Sequence, residues 1–424
     1  MSALAILAVC LLGLLANADG AGSLTRKFAW KYLDYALSPK ERMHAVLTGK
    51  YIPENNIPVG IEIVGDRMFV GVPRWAPGVP STLNWLPLNE DIGESPALIP
   101  YPNLEYNEEG NCAGLTTTYR IRADECGRLW VLDSGTLGID NTTQQLCPYA
   151  LHAFDLKTDR QILRYQFKES DVNADTFIAN IAVDVGKDCS DTYVYASDEL
   201  GYGLIVYSLQ DHDSWRFEHG FFRPDPLKGD FNIAGLNFQW DAEGIFGMAL
   251  SPKSHNERYL LFHPLASHTE FAVPLRILRN KDATDKSYHD FLVLGERGEK
   301  AHSTAETLTE DGLMVYNLID QNAVGCWNSD LPYNKNNQAV IAKDDVELVF
   351  PSDVRIKDGI LWVMSDRMPV HLLASLDFND INFRVFYGSV KELISGTVCD
   401  KYQQGFSYPH QPVELPKSHY AFDY

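Results

Sequence analysis

The sequence predicts an all-β protein, a six-bladed β-propeller with four antiparallel strands per blade. Two observations predict it. A turn containing Asp, Gly or Cys, followed by a short strand of large apolar residues, recurs six times along the chain. Each instance has one apolar strand before it and two after it, and no helical period of comparable length interrupts them.

The repeated strands are Asp66-Arg-Met-Phe-Val-Gly-Val, Gly127-Arg-Leu-Trp-Val-Leu-Asp133, Asp191-Thr-Tyr-Val-Tyr-Ala-Ser-Asp198, Gly244-Ile-Phe-Gly-Met-Ala-Leu, Asp311-Gly-Leu-Met-Val-Tyr and Asp358-Gly-Ile-Leu-Trp-Val-Met-Ser-Asp366. Their starts lie 47 to 67 residues apart, longer than the roughly 40–50 of compact propeller repeats and consistent with added loops. In the second unit the four strands read as 119–123, 129–133, 150–155 and 161–166, and in the third as 178–185, 193–197, 204–208 and 215–219. The last unit reads as 354–356, 361–365, 371–376 and 383–387. A pair of β-sandwiches is the competing reading, but no composition break marks a linker. The propeller is expected over 58–400, after an N-terminal segment 19–57 in which Lys27–Leu33 adds an outer strand to the last blade. Residues 401–424 form a tail.

The first residues precede any blade. An apolar run from Ala3 to Leu15 ends in Ala16-Asn17-Ala18, a small-x-small cleavage pattern, so residues 1–18 read as a signal peptide and the mature chain as secreted. That run is too short to span a bilayer, and no membrane partner is expected. Cysteine usage fits an oxidising compartment, because Cys10 leaves with the signal and six cysteines remain. Cys126 and Cys189 occupy equivalent turns of adjacent blades and form a natural pair. Cys112 and Cys147 both fall on the opposite rim of the second blade, which leaves Cys326 and Cys399. Other connectivities stay open on sequence alone. Asn141-Thr142-Thr143 is a glycosylation sequon in a polar stretch.

Thirty-six basic against 57 acidic side chains give a net charge of −21. Such a charge repels phosphate and excludes nucleic acid as a partner, while solubility accounts for its presence. The common catalytic signatures are missing: the sequence holds no GxSxG elbow, HExxH, Walker loop or GxGxxG after a strand. The 12 His lack metal-ligand spacing. Asp184, Asp188 and Asp191 read as turn residues, and Glu105, Glu108 and Glu109 as solvated loop, so no metal and no cofactor is expected.

Propellers bind ligands at the central channel, where the ends of inner strands present side chains. Candidate polar groups there are Arg74, Asp133, Asp198, Gln239, His302, Ser365 and Asp366, with Phe238, Trp240 and Trp327 as aromatic walls. An Asp beside aromatic faces holds a protonated amine by charge and cation–π contact. Each residue also has a structural reading, since Asp after a strand caps turns and Trp or Phe packs between blades.

Several motifs resemble the insect yellow and major royal jelly protein family. They are Val72-Pro-Arg-Trp with Gly78-Val-Pro-Ser-Thr-Leu-Asn84, Cys126-Gly-Arg-Leu-Trp-Val-Leu-Asp-Ser-Gly135, Gly244-Ile-Phe-Gly-Met-Ala-Leu-Ser-Pro252, His263-Pro-Leu-Ala-Ser267, His302-Ser-Thr-Ala305 and Gly325-Cys-Trp-Asn328. Tyr51-Ile-Pro-Glu-Asn-Asn-Ile-Pro58 adds to them, and together they span roughly residues 50–400. The resemblance implies a six-bladed propeller and a role in melanin or cuticle pigmentation. It fits the yellow branch better than the royal jelly one, because no extended Asn- or Met-rich tail is present.

For this family the resemblance implies a small aromatic ligand. The first expectation is conversion of dopachrome to dihydroxyindoles by tautomerisation or decarboxylation, which needs a general base and an oxyanion donor but no redox cofactor. His302 or Asp198 is the expected base, Arg74 the group that steadies the carboxylate or quinone oxygen, and Asn328 or a Tyr the donor opposite. The alternatives are a protein that binds serotonin or catecholamines through Phe238, Gln239, Trp327, Asn328 and Asp198, and a non-catalytic patterning protein.

Overall fold

The computed structural model describes residues 23–255 and 257–401. The expected signal peptide, residues 1–18, and the expected tail beyond 401 lie outside them.

Six four-stranded antiparallel sheets succeed one another along the chain. Blade 1 comprises Gly60–Val64, Arg67–Gly71, Leu83–Pro87 and Ile99–Pro100, and blade 2 Thr118–Ala123, Arg128–Asp133, Ala150–Asp155 and Arg160–Gln166. Blade 3 comprises Ile178–Val185, Thr192–Asp198, Gly203–Ser208 and Asp213–Glu218, and blade 4 Ile245–Leu250, Tyr259–Pro264, Thr269–Pro274 and Leu292–Glu296. Blade 5 follows with Glu306–Leu308, Leu313–Leu318, Ala323–Asn328 and Gln338–Lys343. Blade 6 contributes Pro351–Lys357, Ile360–Ser365 and Phe383–Ser389, and takes its outermost strand, Thr25–Trp30, from the N-terminus.

That borrowed strand closes the ring. Thr25 pairs with Tyr387 and Trp30 with Phe383, so the last blade is built from both ends of the propeller sequence. The innermost strands touch their neighbours all the way round, blade 6 against blade 1 included. The turn signal in the sequence has a plain cause. Gly127 (φ 73°) and Gly359 (φ 74°) sit in first-to-second-strand turns whose left-handed backbone disfavours a side chain.

Two assignments differ from the sequence reading. Ile245–Leu250 is the innermost strand of blade 4, whereas the repeat pattern aligns it with second strands. The Gly244 signal marks the end of a long strap, residues 219–244, which carries its own hairpin of Asp230–Ile233 and Leu236–Gln239. In blade 6 the segment expected as a third strand is partly a short helix, Met368–Leu373, started by Pro369. The N-terminal strand supplies the fourth place in its stead.

Apolar clusters fill the gaps between blades; Trp130, Leu132, Ile181 and Val194 join blades 2 and 3. Three disulfides, Cys112–Cys147, Cys126–Cys189 and Cys326–Cys399, match the expected pairing. Cys126–Cys189 ties first-to-second turns on one face of the ring. The other face carries the second-to-third loops and the connections between blades, and the channel mouth is built there.

Candidate functional site

Along the channel the innermost strands supply a charged layer with an aromatic layer above it. Arg120 of blade 2 and Asp353 of blade 6 form an ion pair of 2.7 Å with both side chains 0% exposed. Asp353 also accepts from the Ile61 N–H at 2.9 Å, and Arg120 donates to the Ser352 carbonyl at 2.5 Å, so three blades are locked at one level. Arg355 pairs with Asp353 at 3.0 Å, and Glu62 faces Arg122 and Arg355 at 3.3 and 3.4 Å. Over the Arg120 guanidinium lie Tyr119 and Phe246, 5.4 and 5.7 Å to the ring centroids.

The mouth above is an aromatic cup with a cavity volume of about 80 Å3, open to solvent. Its walls include Trp75, Tyr119, Phe177, Trp240 and Phe246, and its polar groups are Asp140, Glu199, Glu243 and Thr304. Tyr119 is the hub, with ring centroids 5.5 Å from Trp75, 5.6 Å from Phe177 and 5.8 Å from Phe246. Among the described residues, no Lys or Arg lines the cup. A wider hollow beside Arg26, Phe28 and Asp91 sits on the outer edge of the ring and is solvent-facing.

Glu199 is 2% exposed and stands within hydrogen-bonding reach of the Glu243 carboxyl. Burial pushes the Glu199 pKa well up, and the neighbouring Glu243 and Asp198 charges push it further. Burial also raises Glu243, while the hydrogen bond from Glu199 works the other way. Both carboxyls are thus shifted toward the protonated form by burial, Glu199 the more strongly. Two further atoms in the cup lack partners among the described residues: Glu199 Oε1 and the indole Nε1 of Trp75. An acceptor and a donor left dry at one mouth are the polar requirements of a ligand. One layer down, burial pushes Asp366 up to about 7.

The residues expected from sequence hold this cup in place more than they line it. Asp198 accepts from the Phe177 and Gly201 N–H groups at 2.9 and 3.1 Å, from Thr176 at 2.8 Å and from Arg216 at 2.6 Å. Its carboxylate fixes the loop, and the next residue, Glu199, enters the cup. Arg74 is likewise spent on backbone. It donates to the carbonyls of Val79 (3.0 Å), Pro80 (3.2 Å), Leu115 (3.3 Å), Thr116 and Asn107, and this clamp positions Trp75. Burial lowers the Arg74 pKa.

His302 lies in the connection between blades 4 and 5, with Nε2 at 2.7 Å from the Lys228 carbonyl and Nδ1 at 2.8 Å from Asp320. Phe238 packs on Phe231 and Trp240 at 5.6 and 4.6 Å between centroids, behind the cup wall, and Gln239 donates to Asp230 at 3.0 Å. Trp327 and Asn328 end the third strand of blade 5 on the opposite face, where Trp327 donates to the Leu331 carbonyl at 3.0 Å and Asn328 accepts from the Asp330 N–H at 3.0 Å. Asp133 caps a turn through Thr116, Thr117 and Gly135, and Ser365 donates to the Val349 carbonyl at 2.7 Å. Of the named candidates, Trp240 alone lines the cup. Asp184 is ion-paired with Arg258 and Arg279, while Asp188 and Asp191 close turns. Asn141 is exposed on the loop beside Asp140.

Glu199 and Glu243 escaped the sequence reading. The available signal was adjacency to a strand-ending Asp in one case and to the Trp240 strap in the other.

The family model for major royal jelly proteins matches residues 116–399. The chain is 52% identical to Protein yellow of Drosophila yakuba over 413 residues, covering 96% of this chain and 76% of the relative. Protein yellow of Drosophila melanogaster is 52% identical over 415 residues with the same coverage, and that of Drosophila subobscura 50% identical over 422 residues, 98% of this chain and 74% of the relative. Among solved structures, virginiamycin B lyase from Staphylococcus aureus is similar at a TM-score of 0.43 and 10% identity, over 79% of this chain and 95% of that one. The chain belongs to the yellow and major royal jelly protein family.

Proposed function

We propose that this chain is a secreted pigmentation protein whose channel-mouth cup takes dopachrome and moves a proton on it. The observation that carries this reading is the Glu199–Glu243 pair, two adjacent carboxyls in an aromatic cup, both pushed up by burial. The name Protein yellow on its relatives supports the pigmentation setting, and three disulfides support an oxidising compartment.

The chemistry needs one base and one acid side by side. Glu243, as carboxylate, takes the ring C–H proton next to the substrate carboxylate. The freed electron pair flows through the ring to a quinone oxygen, which takes the Glu199 proton, and the Trp75 N–H stabilises the charge growing there. Substrate and product are isomers, so no electrons enter or leave. The proton then passes from Glu243 back to Glu199 along their hydrogen bond. If CO2 departs in place of the proton, the same electron path ends in the dihydroxyindole, and Glu199 is reprotonated from solvent.

A second reading rests on a specific feature: the cup holds three acidic residues and no basic one. That lining suits a protonated arylethylamine, held by the carboxyl pair and the aromatic faces.

The test is decay of dopachrome absorbance with purified protein, with products separated by chromatography, beside calorimetry with dopamine and serotonin. Acceleration giving dihydroxyindole or its carboxylic acid supports the enzyme. Amine binding without acceleration replaces it with the second reading, and neither result sinks both.

A further inference from the structure

We infer that a zinc-type divalent cation binds between blades 4 and 5, on the mouth face of the ring, held by His268, His302 and Asp320. These side chains come from the second-to-third loop of blade 4, the connection to blade 5 and the second-to-third loop of blade 5, and their donor atoms lie within 4.8 Å of one another. Two imidazoles and a carboxylate suit a borderline transition cation better than calcium or magnesium, which prefer all-oxygen shells.

The hydrogen bonds around the cluster are those of metal ligands. His302 Nε2–H donates to the Lys228 carbonyl at 2.7 Å, which leaves Nδ1 as the lone-pair nitrogen, facing Asp320 Oδ2 at 2.8 Å. A lone pair and a carboxylate oxygen that close require a proton or a cation between them. His268 Nε2 accepts from the Ala301 N–H at a long 3.3 Å, and its Nδ1 is buried without a hydrogen-bond partner among the described residues. The His302 ring thus turns one nitrogen to a backbone carbonyl and the other to Asp320, the pattern that fixes a ligating tautomer. Asp320 supplies the independent sign. Its side chain is 7% exposed, and its second oxygen, Oδ1, is buried without a partner.

Charge around the site also permits a cation. Lys228 is answered by Glu299 at 4.0 Å and Arg297 by Glu270 at 2.7 Å. The nearby His263, Glu270 and Glu306 cluster differs in kind, because Arg297 already pairs with Glu270 and His263 lies between Glu270 and Glu306 at 3.0 and 3.3 Å. A cation at the first cluster would pin the strap, since Phe231 packs on His302 with ring centroids 4.0 Å apart and lies 5.4 Å from Trp240 of the cup.

The test uses the full chain stripped by chelator, titrated with zinc by calorimetry and with cobalt(II) by visible ligand-field absorption. The expected result is one cation per chain, a raised melting temperature, and an affinity lowered by about 100-fold or more in Asp320→Asn and in His268→Asn. Glu306→Gln should keep the cobalt spectrum. X-ray absorption at the zinc edge of the wild-type protein covers the case in which a variant does not fold; two imidazole shells are expected. No zinc binding, a spectrum that persists in Asp320→Asn and His268→Asn, or an oxygen-only shell would each overturn the assignment.

Discussion

Glu199 and Glu243 bring their carboxyls together at the channel mouth from different blades: one from the loop after Asp198, the other from the strap that enters blade 4. Neither carboxyl meets a cation in the cup lining, so protonation is the local answer to two acids in one dry space.

If that pair is the acid–base couple, Glu199→Gln and Glu243→Gln should each lower dopachrome turnover by about 100-fold or more, the usual worth of a positioned proton donor or acceptor. The wild-type rate should fall at both ends of the pH range, because the couple works only with one proton present. Each Gln variant should lose one limb of that profile. Full activity in both variants would remove the pair from the mechanism.

Stability should carry the same signature. Glu199 titrates well above its ordinary range and Asp366 at about 7, both through burial, so the folded chain binds protons that the unfolded chain has already released. The extra stability is complete below roughly pH 4, the unfolded range, and is lost as pH rises through the folded values. Melting temperature should therefore decline from pH 5 towards pH 8 on this account, and Asp366→Asn, which keeps an acceptor for the Met368 N–H, should flatten the decline. An unchanged slope in Asp366→Asn would mean that this carboxyl is not raised.

The fold was legible because propeller turns demand particular residues. Gly127 and Gly359 mark left-handed turns, and the strands after them are apolar because both sheet faces are buried between blades. Cysteine pairing followed from rim geometry, as Cys126 and Cys189 occupy matching turns. The site was legible only by neighbour. Asp198 and Arg74 drew attention as charges in apolar surroundings, but both are consumed by loop backbone, and Glu199 and Trp75 next to them face the cup. Convergence of Glu199 with Glu243 depends on how the strap folds over blade 4, and no local spacing encodes that.

The Cys126–Cys189 bridge spans 63 residues and staples blade 2 to blade 3 on the face away from the cup. Replacing both cysteines with Ser should cost about 2–5 kcal/mol in denaturant unfolding, since the open chain regains the entropy of a long loop. Ligand affinity at the mouth should change little. A large loss of affinity with the fold intact would show that the two faces are coupled.

The Arg120–Asp353 pair bears more directly on the cup, because the same guanidinium lies beneath Tyr119 and Phe246. Removing one partner leaves the other charged and buried, so Asp353→Asn should destabilise by about 3–5 kcal/mol. It also frees the Ile61 N–H from its charged acceptor. Arg120→Met alone strands Asp353, which keeps only Arg355 and backbone donors. The double variant Arg120→Met with Asp353→Asn should be less destabilised than the sum of the singles, because the two opposite charges leave together and Arg355 keeps Glu62 at 3.4 Å. Urea unfolding of the four proteins measures the coupling. Additive losses would place the pair's role in shape alone, and the channel floor would then owe its rigidity to packing around Tyr119.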